Sequence, residues 1–147
     1  MSIAAPSRVV LDTNVLRAAL WSSSGASFKL LRALPHPAVV SLLSVPLYLE
    51  YQSVLTRTDQ LPPGVESARI LGFLRQFAAM AELREIYFLW RPFLPDASDD
   101  MLLELAVTGR ATHIVNFNLS DFAGTDRTFG IQAVTPGQIL ASLPPSA

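Results

Sequence analysis

Four acidic residues, Asp12, Glu50, Asp99 and Asp121, stand in four separate segments, each at a place from which a fold could aim it at a common point. Carboxylates gathered in one pocket raise one another's pKa, and a bound cation is what makes such a cluster stable. The chain has no cysteine, and His36 and His113 have no partner at ligand spacing. Thiolate catalysis, zinc fingers and iron–sulfur clusters are thereby excluded. An oxygen-only ligand set selects hard cations, Mg²⁺ or Mn²⁺. That is the ligand set of metal-dependent phosphodiester hydrolysis, in which ions activate water, bind the scissile phosphate and stabilise the leaving oxygen.

The elements that must position these acids follow from apolar runs and their punctuation. Arg8–Leu11 is a short apolar run ending at Asp12, which reads as a strand buried on both faces. A helix is expected from Asn14 or Val15 to the break at Ser22–Gly25, and a second over Ala26–Leu34. Ala38–Leu43 is the second strand, and Ser44 caps a helix running to about Arg57. On that helix positions 47, 50, 51 and 54 share one face, so Glu50 falls inside an apolar stripe where an uncompensated acid is costly. Val65–Ala81 is an amphipathic helix, and Arg84–Leu89 a third strand. Beyond an acidic loop, Ser98 is expected to cap a helix over Asp99–Thr108 that Gly109 terminates. Asp99, Leu102, Leu103 and Ala106 share its inner face, with Asp100 and Glu104 projecting elsewhere. His113–Val115 and Ile131–Val134 are the last strands, and Thr135-Pro136 opens a final helix ending near Leu143.

Strands separated by helices require crossover connections, hence a mostly parallel sheet of about five strands in a three-layer α/β/α domain. Ligands of such sheets gather at the carboxyl ends of the strands. Asp12 ends the first strand, and Asn116, Asn118 and Asp121 follow the fourth. The 147 residues, half of them hydrophobic, suit one domain over 1–147 with an ordered core at about 7–143. The net charge of −1 provides no global basic field, so a nucleic acid has to be held locally or through metal ions. Ten of the eleven basic residues are arginines, which suit bidentate phosphate contacts, and Arg17 and Arg57 are candidates for that role. Trp21 and Trp90 are read as core, and Glu66, Glu82, Glu85 and Glu104 as solvated charges. No apolar run approaches the ~20 residues of a membrane span, and the opening residues carry no signal-peptide pattern, so a cytoplasmic location is expected.

Taken as motifs, these segments carry a resemblance. Arg8-Val-Val-Leu-Asp12-Thr13-Asn14-Val15-Leu16, Leu49-Glu50-Tyr51 with Val54-Leu55, Asp99-Asp100-Met101-Leu102-Leu103-Glu104-Leu105-Ala106, and His113-Ile-Val-Asn116-Phe117-Asn118-Leu119-Ser120-Asp121-Phe122 resemble, in order, the four motifs of the PIN-domain family. The likeness extends to Gly130-Ile131 and Thr135-Pro136 and is nearest to bacterial members of VapBC-like toxin–antitoxin pairs. It implies an Mg²⁺- or Mn²⁺-dependent endoribonuclease cutting single-stranded RNA, neutralised by an antitoxin protein that seats an arginine in the acidic cleft, and a homodimer. Residue by residue, Asp12, Glu50, Asp99 and Asp121 match the four metal-binding acids. Asp96 and Asp100 are nearby candidates for the third, and Asn14 belongs to the opening motif. Asn118 stands where many relatives have Asp. Asn116 stands where Thr is usual, a position implied to orient the neighbouring acid or a water.

Other readings compete with this one. A catalytically weak or inert PIN module that binds RNA or a protein is suggested by Asn116 and Asn118. A haloacid-dehalogenase-like phosphatase needs a second Asp two residues after Asp12, where Asn14 stands. A receiver domain needs a lysine late in the sheet, and Lys29 is in the wrong segment.

Overall fold

The computed structural model describes residues 5–86 and 94–144, with the backbone alone at 97–98. Five parallel strands form one sheet in the order β3-β2-β1-β4-β5: β1 Ser7–Leu11, β2 Val39–Leu43, β3 Glu82–Leu83, β4 His113–Val115 and β5 Gln132–Val134. Among the described residues seven helices flank it in a three-layer α/β/α arrangement: α1 Thr13–Trp21, α2 Ala26–Ala33, α3 Val45–Leu55, α4 Ser67–Met80, α5 Ala97–Thr108, α6 Thr125–Phe129 and α7 Pro136–Ser142. No helix among them is long and apolar enough to cross a membrane.

The central strand explains the topology. Val9, Val10 and Leu11 are at most 1% exposed, because β1 is covered on both faces and paired on both edges. The chain moves outward to β2 and β3 on one side, then returns to add β4 and β5 on the other. The strand order therefore reverses beside β1. Connections diverge there and leave a crevice at the carboxyl ends of β1 and β4. Asp12 and Asn116 are the first residues beyond those two strands. Asp12 N–H donates to Val115 O, and Asn116 N–H to Val134 O, both at 2.9 Å.

Local rules account for most boundaries. Ser44 caps α3 through Leu47 N–H at 3.2 Å, and Thr135 forms a reciprocal capping box with Gln138 at the start of α7. The structure differs from expectation at the third strand, at the start of α5 and between β4 and β5. The third strand is Glu82–Leu83 rather than Arg84–Leu89, whose residues 87–89 lie outside those described, as does Trp90. Glu82, on this edge strand, keeps 34% of its side chain exposed and is ion-paired as well. Arg8 and Arg84 both donate to it, and these bonds hold its carboxyl down at about 2. Ser98 lies inside α5, which starts at Ala97, rather than capping it. The segment between β4 and β5 holds a 3₁₀ turn at Leu119–Phe122 and the short α6, neither of which has a readable period.

Gly109 ends α5 for a reason other than backbone freedom. The left-handed position is taken by Arg110 (φ 56°), with Ala111 N–H reaching Ala106 O at 2.7 Å, a Schellman closure. A Cβ on Gly109 would lie 2.6 Å from Leu42 Cδ1 and 3.2 Å from Leu105 O. Gly109 is thus the contact that lets α5 lie against β2. Gly109→Ala is expected to destabilise the protein by about 1–3 kcal/mol through overpacking, read as a lowered urea midpoint at unchanged m-value.

Candidate functional site

Each of the first three acids reaches the site by a separate local device. Asp12 ends β1 and is the N-cap of α1, its Oδ1 accepting from Asn14 N–H at 3.5 Å. That bond is long, so capping leaves most of the acceptor capacity of the carboxylate unused. Glu50 is carried by α3, whose inner face buries Leu47, Tyr51 and Leu55 completely or nearly so. Tyr51 sets the height of that helix. Its hydroxyl donates to Leu11 O, the carbonyl just before Asp12, and its ring meets Phe77 edge-on at 5.9 Å. Asp99 lies in the first turn of α5, where exposed N–H groups favour an anion.

A cleft of about 230 Å³ is lined by Asp12, Thr13, Asn14, Arg17, Glu50, Val54, Asp99, Met101 and Leu102. It gathers three of the four expected acids from β1, α3 and α5. Asp121, in the 3₁₀ turn after β4, lies outside that lining. Its charge is nonetheless near enough to push up the carboxyls of both Asp12 and Asp99. Burial is the main cause of the upward shift at Asp12, opposed by the N–H groups of Asn14 and Thr13 and reinforced by Asp121 and Glu50. Asp99 is pushed up to about 6, chiefly by burial and then by Asp12, Asp96, Asp121 and Asp100. The field of Asp12 also adds to the burial that lifts the Tyr51 phenol well above its ordinary value.

The remaining candidates divide. Asp96 is exposed, whereas Asp100 is 1% exposed and turned inward, its Oδ1 accepting from Leu94 N–H at 2.9 Å. Glu104, expected in solvent, is 2% exposed. Both corrections have one cause: α5 packs against β1, β2, β4 and α3, which leaves it no free side for an outward-facing acid. Asn116 is fully buried, and neither Oδ1 nor Nδ2 has a hydrogen bond among the described residues. The orienting contact implied for it is therefore not made in this arrangement. Asn118 is exposed and accepts from Ser120 Oγ at 2.9 Å. Arg17 lines the cleft, while Arg57 is exposed and stands outside the lining. Trp21, expected in the core, is 47% exposed.

The sequence profile of the PIN domain matches residues 8–120, about three quarters of the chain. The chain belongs to the PIN-domain family. Comparison with curated proteins finds no match. The matched span carries Asp12, Glu50 and Asp99 and stops one residue before Asp121. PIN domains are generally nucleases and typically use divalent metal ions.

The residues present suit such an ion chemically. The cleft offers carboxylates that repel one another, together with Asn14 Oδ1, a buried oxygen without a hydrogen bond among the described residues. A buried polar atom left unsatisfied costs about 1–3 kcal/mol, and a hard cation or its bound water is a matching partner. As the side chains lie, no three His, Cys, Asp or Glu groups among the described residues are close enough to hold a metal together.

Tyr51 is the positioning residue that sequence reasoning missed. Periodicity places it on the apolar stripe, but nothing local shows where its hydroxyl ends. For the metal-free protein the acids set a pH dependence. With the Asp99 carboxyl raised from 3.8 to about 6, the folded state holds more protons than the unfolded chain across that interval. Stability therefore falls as pH rises through it, with the cost absent below and complete above. In chelator, Asp99→Asn is expected to be more stable than the parent at pH 7.5, by at most about 1 kcal/mol after solvent screening. Thermal melts should show that gap closing toward pH 4.

Proposed function

We propose that this PIN domain is a metal-dependent endoribonuclease that hydrolyses phosphodiester bonds in RNA and acts as the toxin of a type II toxin–antitoxin pair. The observation that carries the reading is the convergence of Asp12, Glu50 and Asp99 on one cleft at the switch point of the sheet, with Asp121 within electrostatic reach. In this reading Asp12, Glu50, Asp99 and Asp121 hold Mg²⁺ or Mn²⁺. Bound there, the ion supplies a Lewis acid for the phosphate oxygen and a water of lowered pKa. The chain supplies the rest. Asp12, fixed between β1 and α1, presents a carboxylate whose position does not depend on substrate. Tyr51 holds α3 against the Leu11 carbonyl and so keeps Glu50 facing Asp12. Asn14 offers an amide oxygen beside them, and Arg17, the one basic side chain on the lining among the described residues, meets the phosphate. Asn116 is buried just past the end of β4, and the Asn118 carbonyl accepts from Asp121 N–H at 3.1 Å. An antitoxin would neutralise the cleft with an arginine, and two copies of the chain would form a homodimer.

Asp12→Asn and Asp99→Asn are each expected to lower Mn²⁺-dependent cleavage of single-stranded RNA by about 100-fold or more, a loss typical of removing one electrostatic stabiliser. Both should relieve growth arrest when the protein is produced in a bacterial host. Undiminished cleavage after both changes would refute the assignment. Calorimetry separates the inert-module alternative: that module takes up no Mg²⁺ or Mn²⁺ near millimolar concentration, whereas the nuclease binds the ion and loses it with Asp12.

A further inference from the structure

The exposed indole of Trp21 is fastened rather than loose. Its Nε1–H donates to Gln60 O at 3.0 Å, and the Arg17 guanidinium carbon lies 5.9 Å from the ring centroid in a cation–π contact. Arg17 Nε–H in turn donates to Gln60 Oε1, so one residue of the 3₁₀ turn Thr58–Gln60 after α3 braces both side chains. Two contacts restrict the ring directly and the bond between Arg17 and Gln60 braces them, yet 47% of the residue remains open to solvent. An indole serving the fold alone gains most by complete burial.

Its place on α1 says what it can meet. Asn14, Arg17 and Trp21 follow one another at helical spacing, and the first two line the acidic cleft. Trp21 lies seven residues beyond Asn14, about 10 Å along the helix axis. At roughly 3.4 Å per stacked nucleotide this is about three nucleotides, fewer for an extended strand. An aromatic face and an arginine beside a backbone-binding groove are the parts with which proteins hold single strands. Paired bases present no free face, so the base that fits here is unpaired.

We propose that Trp21, braced by Arg17 and Gln60, is the stacking platform for an unpaired nucleobase of the substrate, within about three nucleotides of the bond cleaved. Arg17 holds the phosphate between platform and cleft. The proposal rests on the nuclease reading and makes Trp21 a positioning residue that selects single-stranded substrate.

The test is steady-state cleavage with Mn²⁺ of a short single-stranded RNA, the same sequence as DNA, and the RNA duplex. Trp21→Ala is expected to raise KM for the single strand by about 5- to 150-fold with kcat changed far less, the range that loss of one base stack produces. Trp21→Phe should recover most of that loss and Trp21→Leu little. Both lack the bond to Gln60, so the contrast isolates the aromatic face from folding. A scan of single abasic sites should find a position near the cleaved bond whose base matters to the parent and not to Trp21→Ala. RNA cut in preference to DNA assigns the strand as RNA, and equal use assigns recognition to the base alone; either keeps the platform. Equal kinetics for parent and Trp21→Ala, or recovery by Leu as full as by Phe, would overturn it while the nuclease reading stands. If the parent cuts neither RNA nor DNA, the nuclease reading fails first and the platform falls with it.

Discussion

Mutual repulsion among carboxylates held at the carboxyl end of a parallel sheet is the constraint on which the rest of this molecule turns. The strand order reverses beside β1, and the resulting crevice receives Asp12 from the central strand and Asp99 from the start of α5. Burial and mutual charge raise the carboxyls of both. Such an arrangement costs the metal-free protein stability, and a fold tolerates it only when a rigid frame prevents the acids from swinging into solvent. The cost and the binding capacity have the same source, because oxygens that repel one another are those a hard divalent cation draws together.

The frame is built from contacts that do no chemistry. Tyr51 ties α3 to the carbonyl preceding Asp12, so the helix that bears Glu50 is located by a buried hydroxyl and an edge-on contact with Phe77. Arg8 spans the sheet, donating to Glu82 on β3 and to Gly109 O at the end of α5. Gly109 itself lets α5 approach Leu42 closely. These contacts fix α5 in depth and rotation. The consequence is seen at two adjacent acids: Asp99 opens onto the cleft, while Asp100 is sealed inside against Leu94 N–H. One residue of helical phase separates a site group from a packing group.

A cleft lined by acids also has to admit a polyanion. With a net charge of −1 there is no general attraction, and among the described residues Arg17 is the one basic side chain on the lining. A bound cation would supply part of the missing positive charge. An aromatic face would supply attraction that does not depend on charge, and the placement of Trp21 beside Arg17 is the geometry that makes this available.

Much of this was legible from sequence because it is local. Strand and helix periods, the Ser44 and Thr135 caps and the acids at strand ends are short-range signals, and they led to the parallel α/β/α architecture and to Asp12, Glu50, Asp99 and Asp121 as one expected group, of which the first three line the cleft. What sequence could not decide depends on neighbours distant along the chain. Periodicity assigns one inner face to α5, but packing against the sheet and α3 buries Asp100 and Glu104 as well. Apolar character places Trp21 in the core, but a bond to Gln60 and a covering arginine hold it at the surface. The turn and short helix between β4 and β5 are too brief to carry a period, and Thr125 Oγ1, donating to Phe122 O and Ile131 O, holds them together. Sequence determined which acids were available and in what order. Only the tertiary structure decided which of them share a cleft, since side-chain orientation depends on what each helix packs against.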